Sequence, residues 1–490
     1  MTDWRFLHAI PPHHVAIKLL SNESIKLDGK LDDAAWAAPD VVWTSTPFVD
    51  ITRHNTSQLN SVPSNFQARA KIRWDDNFLY IGAELNEPFI VANITGHNGK
   101  DPPYHDNDFE VFVDPSGSTH YYKEYEMSAR NATYDVLWGV PDGEGLTCLK
   151  APTVAAPIAA APIAPLCVNT SFPGYYGNWT MVANSSSNNG GGLVAATSYD
   201  PSHYGKYVYP HAVWTAEIAF PLHSTSSHGG LLDGASPNSL AKEHDPSAAA
   251  AASQQQQRIY WYFDLARAEH PRRYSQPSMN SSTVTCPLGC SPQLTSWRPD
   301  LSPPTPDECK DAKAKWPTLL GIHPWNCYWE WVYANVGPQN NYMHRPLYWA
   351  SLQFASRGDG LGVKACGPIE WPGRYLMRSV LIAQRDHRQR TKTYFTSEAE
   401  LTAACKLAAG CNVDDVAYAL RTKSTFPNGI QLAVEANATK LRPDCTARPC
   451  FRASVVVRVP PSGSFEYTTR IDSNSKLLTE WPSGQRPCLF

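Results

Sequence analysis

The sequence predicts a mainly β fold: antiparallel sheets with long loop insertions, followed by a small α+β unit. Three observations carry this. Short runs with period-two alternation recur along the first 356 residues, low-complexity segments interrupt them, and helical spacing appears only after residue 370. The clearest pair of strands lies in residues 71–115. In Phe78 to Leu85, Leu79, Ile81, Ala83 and Leu85 alternate with Tyr80, Gly82 and Glu84. In Phe109 to Val113, Phe109, Val111 and Val113 alternate with Glu110 and Phe112. Asp75-Asp76-Asn77 and Asp114-Pro115 are turn chemistry at their ends.

At 490 residues, core size is not limiting and two or three domains fit. A net charge of −3 argues against a nucleic-acid or anionic-membrane partner, and no run of eighteen apolar residues suggests a membrane span. Aromatic residues make up 11%, with 16 Trp and 23 Tyr, which suits β-propensity and core packing as well as sugar stacking.

The N-terminal segment, 1–22, leads to a first strand with Ile25 and Leu27 alternating around Lys26, closed by the turn Asp28-Gly29. Asp32-Asp33-Ala34-Ala35-Trp36 reads as one helical turn, with Trp36 plugging the end of the fold. His120 to Asn131 is a further alternating strand that continues through Thr133 to Trp138. Three insertions follow. Residues 141–200 contain a Pro/Ala tract (151–165) and a Ser/Asn/Gly loop (184–192), residues 223–257 end in Ala and Gln runs, and residues 275–325 are rich in Ser, Thr and Pro. Between them, Ala212 to Phe220 is a strand. Residues 326–354 are strongly aromatic, and Trp329 and Trp331 share one strand face.

Several blocks, in order, resemble the family 9 carbohydrate-binding modules and their larger relatives with a C-terminal extension. Ile25 to Trp36 is similar to the family opening I-x-I-D-G-x-L-D-E-x-x-W. Trp74-Asp75-Asp76 with Leu79-Tyr80-Ile81, then Asp106 to Pro115, follow its central pattern. Trp214 to Pro221, Tyr260 to Arg267 and Asn341 to Phe354 match three later blocks. The resemblance implies that residues 23–356 form a jelly-roll-like β-sandwich, and that its function is non-catalytic binding of a glycan or polysaccharide. Sugar-binding members clamp a ring between two aromatics. One maps to Tyr104, in a loop after Pro102-Pro103, and the other loosely to Trp331 or Met343. Glu110 maps to a polar sugar contact, and Arg267 closes the block similar to W-R-x-N-F-S-R. The plainer readings are core packing for Trp329 and Trp331, an ion pair of Glu110 with Arg267 or Arg345, and a structural role for His344. Ser128 stands where the family usually has Asn, a departure that weakens direct transfer of sugar contacts. Structural calcium is also implied by the resemblance. Asp28, Asp32 and Asp33 have the right chemistry, and solvated turn acids are the commoner case.

Two other function classes stand beside binding. Asp106, Asp108, Glu110, Glu124 and Glu126 supply the residue types of a glycoside hydrolase, which needs two carboxyls facing one bond. No G-x-S-x-G, H-E-x-x-H or P-loop accompanies them. The third class is a structural extracellular protein that has lost the sugar site.

Twelve cysteines, an even count, read as disulfides of an oxidising compartment, and the spacings 286/290, 405/411 and 445/450 allow local bridges or longer ones. Zinc bound by Cys286, Cys290, Cys309 and Cys327 is the disfavoured alternative, because Pro287 and Gly289 sit in a Ser/Pro-rich loop and no His has finger spacing. Asn-x-Ser/Thr acceptors at Asn22, Asn55, Asn93, Asn131, Asn169, Asn178, Asn184, Asn280 and Asn437 point the same way, to a secreted glycoprotein. Met1 to His8 holds no apolar signal region, so a truncated or mis-started gene model is expected.

Residues 370–490 form the α+β extension. Leu376, Val380 and Ala383 share one helical face, Ser397 and Glu400 make a capping box, and alternating runs follow at 430–434, 450–459 and 465–471.

Overall fold

The computed structural model describes residues 10–51, 60–62, 64–88, 90, 92–96, 102–120, 122–138, 175–177, 194–206, 208, 211–222, 260–269, 329–333, 343–355, 370–435, 450–459, 465–473 and 477–480. In chain order the first part comprises β1 (His13–Lys18), α1 (Ala34–Ala37), β2 (Val49–Asp50), β3 (Asn60–Ser61), β4 (Ala68–Trp74) and β5 (Phe78–Glu87). There follow β6 (Asp108–Asp114), β7 (Tyr122–Ser128), β8 (Thr133–Trp138), β9 (Tyr175–Gly177), β10 (Val194–Tyr199), β11 (Ala212–Pro221), β12 (Tyr260–Glu269), β13 (Trp329–Val332) and β14 (Ala350–Ala355). The C-terminal part holds α2 (Trp371–Thr391), α3 (Glu398–Leu407), α4 (Val413–Arg421), β15 (Ile430–Glu435), β16 (Cys450–Val459), β17 (Phe465–Asp472) and β18 (Leu477–Glu480).

The first fourteen strands form one sheet, ordered β10-β11-β5-β4-β1-β14-β12-β6-β7-β8-β9, with β13, β2 and β3 joined to the side of β12. It curls until its two halves face each other, which makes the sandwich. The alternating residues of both halves meet in one core: Leu79, Ile81, Ala83 and Leu85 of β5 and Trp214, Ala216, Ile218 and Phe220 of β11 pack with Phe109, Val111 and Val113 of β6. The Tyr125 ring of β7 stands edge-on to Phe220 of β11, 5.5 Å away.

The first strand is His13 to Lys18, not the run around Ile25 and Leu27. It lies between β4 and β14, parallel to both, with His13 opposite Ser351 and Ile17 opposite Arg73. Val15 and Ile17 are too few for a clear periodic signal, and two histidines occupy the start of the strand. His14 is buried, and burial lowers its pKa to about 4, so it packs neutral. The helical turn at Trp36 is present as α1. Trp36 lies on the outer surface of β5 rather than at the end of the sandwich. Its Nε1 donates to Glu217 Oε1 (2.8 Å), and Gly82 leaves the space, since a Cβ there would come within 2.7 Å of Leu31 and 3.1 Å of the Trp36 ring. The insertion expected over 141–200 contributes two strands to the sheet, β9 and β10. Val194 to Tyr199 pairs antiparallel along β11 as an edge strand, where one exposed side weakens the alternation. The low-complexity tracts 151–165 and 184–192, the insertions 223–257 and 275–325, and the zinc-type cysteines lie outside the described residues.

The C-terminal part packs α2 against a separate antiparallel sheet, β15-β16-β17-β18. The expected helical face is there: Leu376, Val380 and Ala383 are fully buried with Phe451, Val455 and Tyr467. The Ser397–Glu400 capping box forms in both directions. α4 and β18 are additional. Cys405 and Cys411 are joined in a disulfide across the end of α3 (Cα–Cα 5.2 Å).

Candidate functional site

Strand alternation leaves β6, β7, β8 and β12 a second, outward face. Because β6 and β7 pair Glu110 with Glu126, Asp108 with Ser128 and Phe112 with Glu124, the polar members of both strands fall on that face together. Ala266 of β12 pairs with Glu110, and Phe263 pairs with Val113.

One half of the face is apolar and aromatic. Phe112, Tyr122, Val136, Trp138, Tyr262, Met343 and Trp349 pack as one buried cluster. Tyr122 stacks on Trp138 with centroids 6.1 Å apart, and the His344 ring fits between Trp138 (4.6 Å) and Phe112 (5.1 Å). Tyr122 Oη lies 3.0 Å from His344 Nδ1. Burial lowers the His344 pKa to about 3, so the imidazole is neutral, a satisfied structural His as the plainer reading held. Met343 is also buried, and its carbonyl accepts the Trp349 indole N–H (2.8 Å).

The other half is acidic. Asp108, Glu110, Glu124 and Glu126 are all buried. Asp108 Oδ1 accepts the Ala268 amide (2.9 Å), and Glu126 Oε2 accepts the Tyr104 amide (3.1 Å). Glu124 accepts the Trp138 indole N–H. Burial pushes the carboxyls of Asp108 and Glu126 well above the usual carboxylate range, and the neighbouring Glu124 charge pushes both further. A hydrogen bond with Glu124 also favours the protonated form of Glu126. The cluster therefore holds carboxylic acids, which donate, beside carboxylates, which accept.

Tyr104 is half-buried beside this cluster, on a single 3-10 turn, Pro103–His105, with its amide held by Glu126. Burial raises its phenol pKa, and the charges of Glu126, Glu124, Glu110 and Asp108 raise it further, so it remains a neutral donor. Asp106 belongs to the frame: its Oδ2 accepts the amides of Asn93 and Ile94 (the latter at 2.9 Å).

Of the residues singled out from sequence, Tyr104 and Glu110 come together here. Arg267 does not. It faces the sandwich interior, with no exposed surface, where Nη2 pairs with Glu87 Oε2 (2.6 Å) and Nη1 donates to the carbonyls of Phe66 (2.8 Å) and Asn86 (2.7 Å). Period two decides this, because Ala266 shares the Glu110 face and its neighbour must point away. Trp329 and Trp331 have backbones opposite Glu269 and Arg267, and their side chains lie outside the described residues. Ser128 closes the β7–β8 turn, its Oγ accepting the Ala132 amide (3.2 Å). From sequence, Glu124 and Glu126 stand only as candidate hydrolase carboxyls, and Trp138 is not among the candidate site residues. Alternation in 120–138 placed the acids on one face, but only the strand register shows that they face Glu110.

Two of the calcium ligands implied by the resemblance have protein partners. Asp28 pairs with Lys26 Nζ (2.9 Å), and Asp33 Oδ2 accepts the Lys26 amide (2.8 Å). Among the described residues, no group of three or more His, Cys, Asp or Glu side chains is placed to hold a metal ion. Among the described residues, too, no helix is long and apolar enough to cross a membrane.

The stretch that carries most of this face is similar to known proteins. No curated protein matches the sequence. The chain is similar to two solved structures of a family 9 carbohydrate-binding module from Caldicellulosiruptor kristjanssonii. The one in complex with cellotriose is 11% identical, with a TM-score of 0.30, over 72% of this chain and 98% of that one. The one in complex with glucose is 12% identical, with a TM-score of 0.29, over 71% and 100%. The family model described as "Carbohydrate family 9 binding domain-like" matches residues 27–139, the stretch that carries α1, β4 to β8, Tyr104 and the acidic cluster. Residues 27–139 of this chain are thus similar to the carbohydrate family 9 binding domain-like family.

Proposed function

We propose that the outward face around Tyr104 binds carbohydrate without transforming it, the ligand being a glycan or polysaccharide. The observation that carries this reading is the half-buried Tyr104, its amide held by Glu126 and its phenol within the electrostatic reach of the buried Glu110, Glu124 and Glu126. A sugar ring offers an apolar C–H face to an aromatic side chain, and hydroxyls that both donate and accept. Neighbouring protonated and ionised carboxyls answer both roles. The family match over residues 27–139, and the cellotriose and glucose held by the similar modules, support the same ligand class.

The mutual hydrogen bond of Glu124 and Glu126 makes that one pair unlike a glycosidase pair, which stands about 5–9 Å apart across the scissile bond. The Cys405–Cys411 disulfide and the nine Asn-x-Ser/Thr acceptors support a secreted glycoprotein. The deciding experiment is a polysaccharide pull-down and calorimetric titration with the purified chain, beside Tyr104→Ala and Glu110→Gln. Binding that weakens in both variants is the expected result. Binding that survives both moves the site elsewhere, and turnover lost in Glu110→Gln would replace binding with hydrolysis.

A further inference from the structure

α2 meets the sandwich through two arginines. Arg374 and Arg378 are four residues apart, so they lie one turn above the other on the same face. Both are almost wholly buried, at 2% and 4% exposure. The Arg374 guanidinium lies 3.7 Å over the Tyr262 ring of β12, and its Nη1 donates to the Gly117 carbonyl (2.7 Å). The Arg378 guanidinium lies 3.9 Å over the Tyr348 ring and 5.4 Å from that of Tyr375.

These rings satisfy the flat faces of the guanidinium groups but accept none of the in-plane N–H bonds. Nε and Nη2 of Arg374, and Nε and Nη1 of Arg378, have no hydrogen-bond acceptor among the described residues. The surrounding carboxylates serve other donors. Asp114 accepts Ser116 Oγ (2.7 Å) and the Thr119 amide (2.7 Å), Asp415 accepts Tyr375 Oη (2.7 Å), and Glu370 accepts Tyr262 Oη (3.4 Å). Buried guanidinium N–H groups left without an oxygen acceptor are strongly disfavoured.

We propose that the seam between α2 and the sandwich is an oxyanion site, in which Arg374 and Arg378 together hold one carboxylate, sulfate or phosphate group. In Arg374 the open Nε and Nη2 form the planar fork that fits two oxygens of such a group, and in Arg378 the open Nε and Nη1 lie on different edges and each supplies a single N–H bond. One helical turn separates the two side chains, a span that a single tetrahedral or planar anion bridges. The anion ties the C-terminal part to the sandwich, so its first effect is on stability.

The test uses the whole chain. After exhaustive dialysis, bound anion is measured by ion chromatography of the denatured protein. Thermal unfolding is then followed at fixed ionic strength as chloride is replaced by sulfate, by phosphate or by glucuronate. The expected result is either stoichiometric retained anion or a saturable rise in melting temperature. In either case it is lost in Arg378→Gln and reduced several-fold in Arg374→Lys. A response to sulfate or phosphate alone identifies a free inorganic anion, and an equal response to glucuronate identifies an acidic sugar. No retained anion, together with a rise that is linear, unsaturable and equal in the variants, overturns the proposal. If neither variant folds, retention and saturation in the wild-type chain decide it.

Discussion

Glu110 lies directly across the β6–β7 pair from Glu126, on a face that also holds Asp108 and Glu124. Four buried carboxyls at such spacing cannot all ionise cheaply, and burial raises the pKa values of Asp108 and Glu126.

That has a sign. The folded chain holds protons that the unfolded chain releases above its ordinary carboxyl pKa values, so stability falls as pH rises from there through the raised folded values. The slope is at most about 1.4 kcal/mol per pH unit for each retained proton. Urea unfolding at about pH 5 and about pH 8 should show lower stability at the higher pH, and Glu126→Gln should flatten the difference. A stability that rises over this range would contradict the raised values.

Tyr104 should contribute to binding through its ring. Tyr104→Phe is expected to keep most glycan affinity, while Tyr104→Ala loses about 1 kcal/mol or more, on the order of tenfold. Calorimetric titration separates the two, and equal losses would assign the effect to the hydroxyl instead.

Arg267 is a matter of stability. Arg267→Met removes the buried ion pair with Glu87 and should cost about 3–5 kcal/mol. Denaturant midpoints measure this, and protein that remains folded should bind glycan as the parent does.

Glu217 gathers three donors: its Oε1 accepts the Trp36 indole, and its Oε2 accepts the amides of Asp28 (3.0 Å) and Gly29 (2.9 Å). Glu217→Ala should destabilise the chain by at least about 2 kcal/mol. The urea midpoint, followed by circular dichroism, should fall below that of the parent.

Gly373 sets propensity against packing. Alanine favours a helix by about 1 kcal/mol, yet a Cβ at this position would collide with Thr469 Oγ1 and lie 2.9 Å from the Tyr467 ring. Packing should win, so Gly373→Ala is expected to lower stability by about 1–3 kcal/mol in thermal unfolding. A stabilised variant would mean that α2 shifts freely on its sheet.

Much of this architecture was legible in the residues. Leu79 to Leu85 and Phe109 to Val113 alternate because each strand has one face in the core, and Ser397 with Glu400 marks a helix start by its own hydrogen bonds. The site was half legible. Tyr104 and Glu110 came from the family pattern, but the opposition of Glu110 and Glu126 is a matter of register between strands, which a single strand does not encode. Arg267 was misplaced for a related reason: a charged residue in a strand reads as surface, and only its long-range partner Glu87 makes the interior tolerable. His13 to Lys18 was missed because a central strand is recognised by its neighbours, and those of β1 lie far along the chain.

The position of β1 also bears on biosynthesis. His13 hydrogen-bonds Ser351, 338 residues later, while the other neighbour of β1, β4, is an early strand. On the ribosome, β1 and β4 are made hundreds of residues before β14, and until Ala355 emerges one side of β1 stays open to any stray strand. Closure of the sheet is therefore a late event of high contact order, expected to be slow and helped by chaperones. Expression yield should thus depend more on how long nascent β1 is shielded than on the stability of the finished fold.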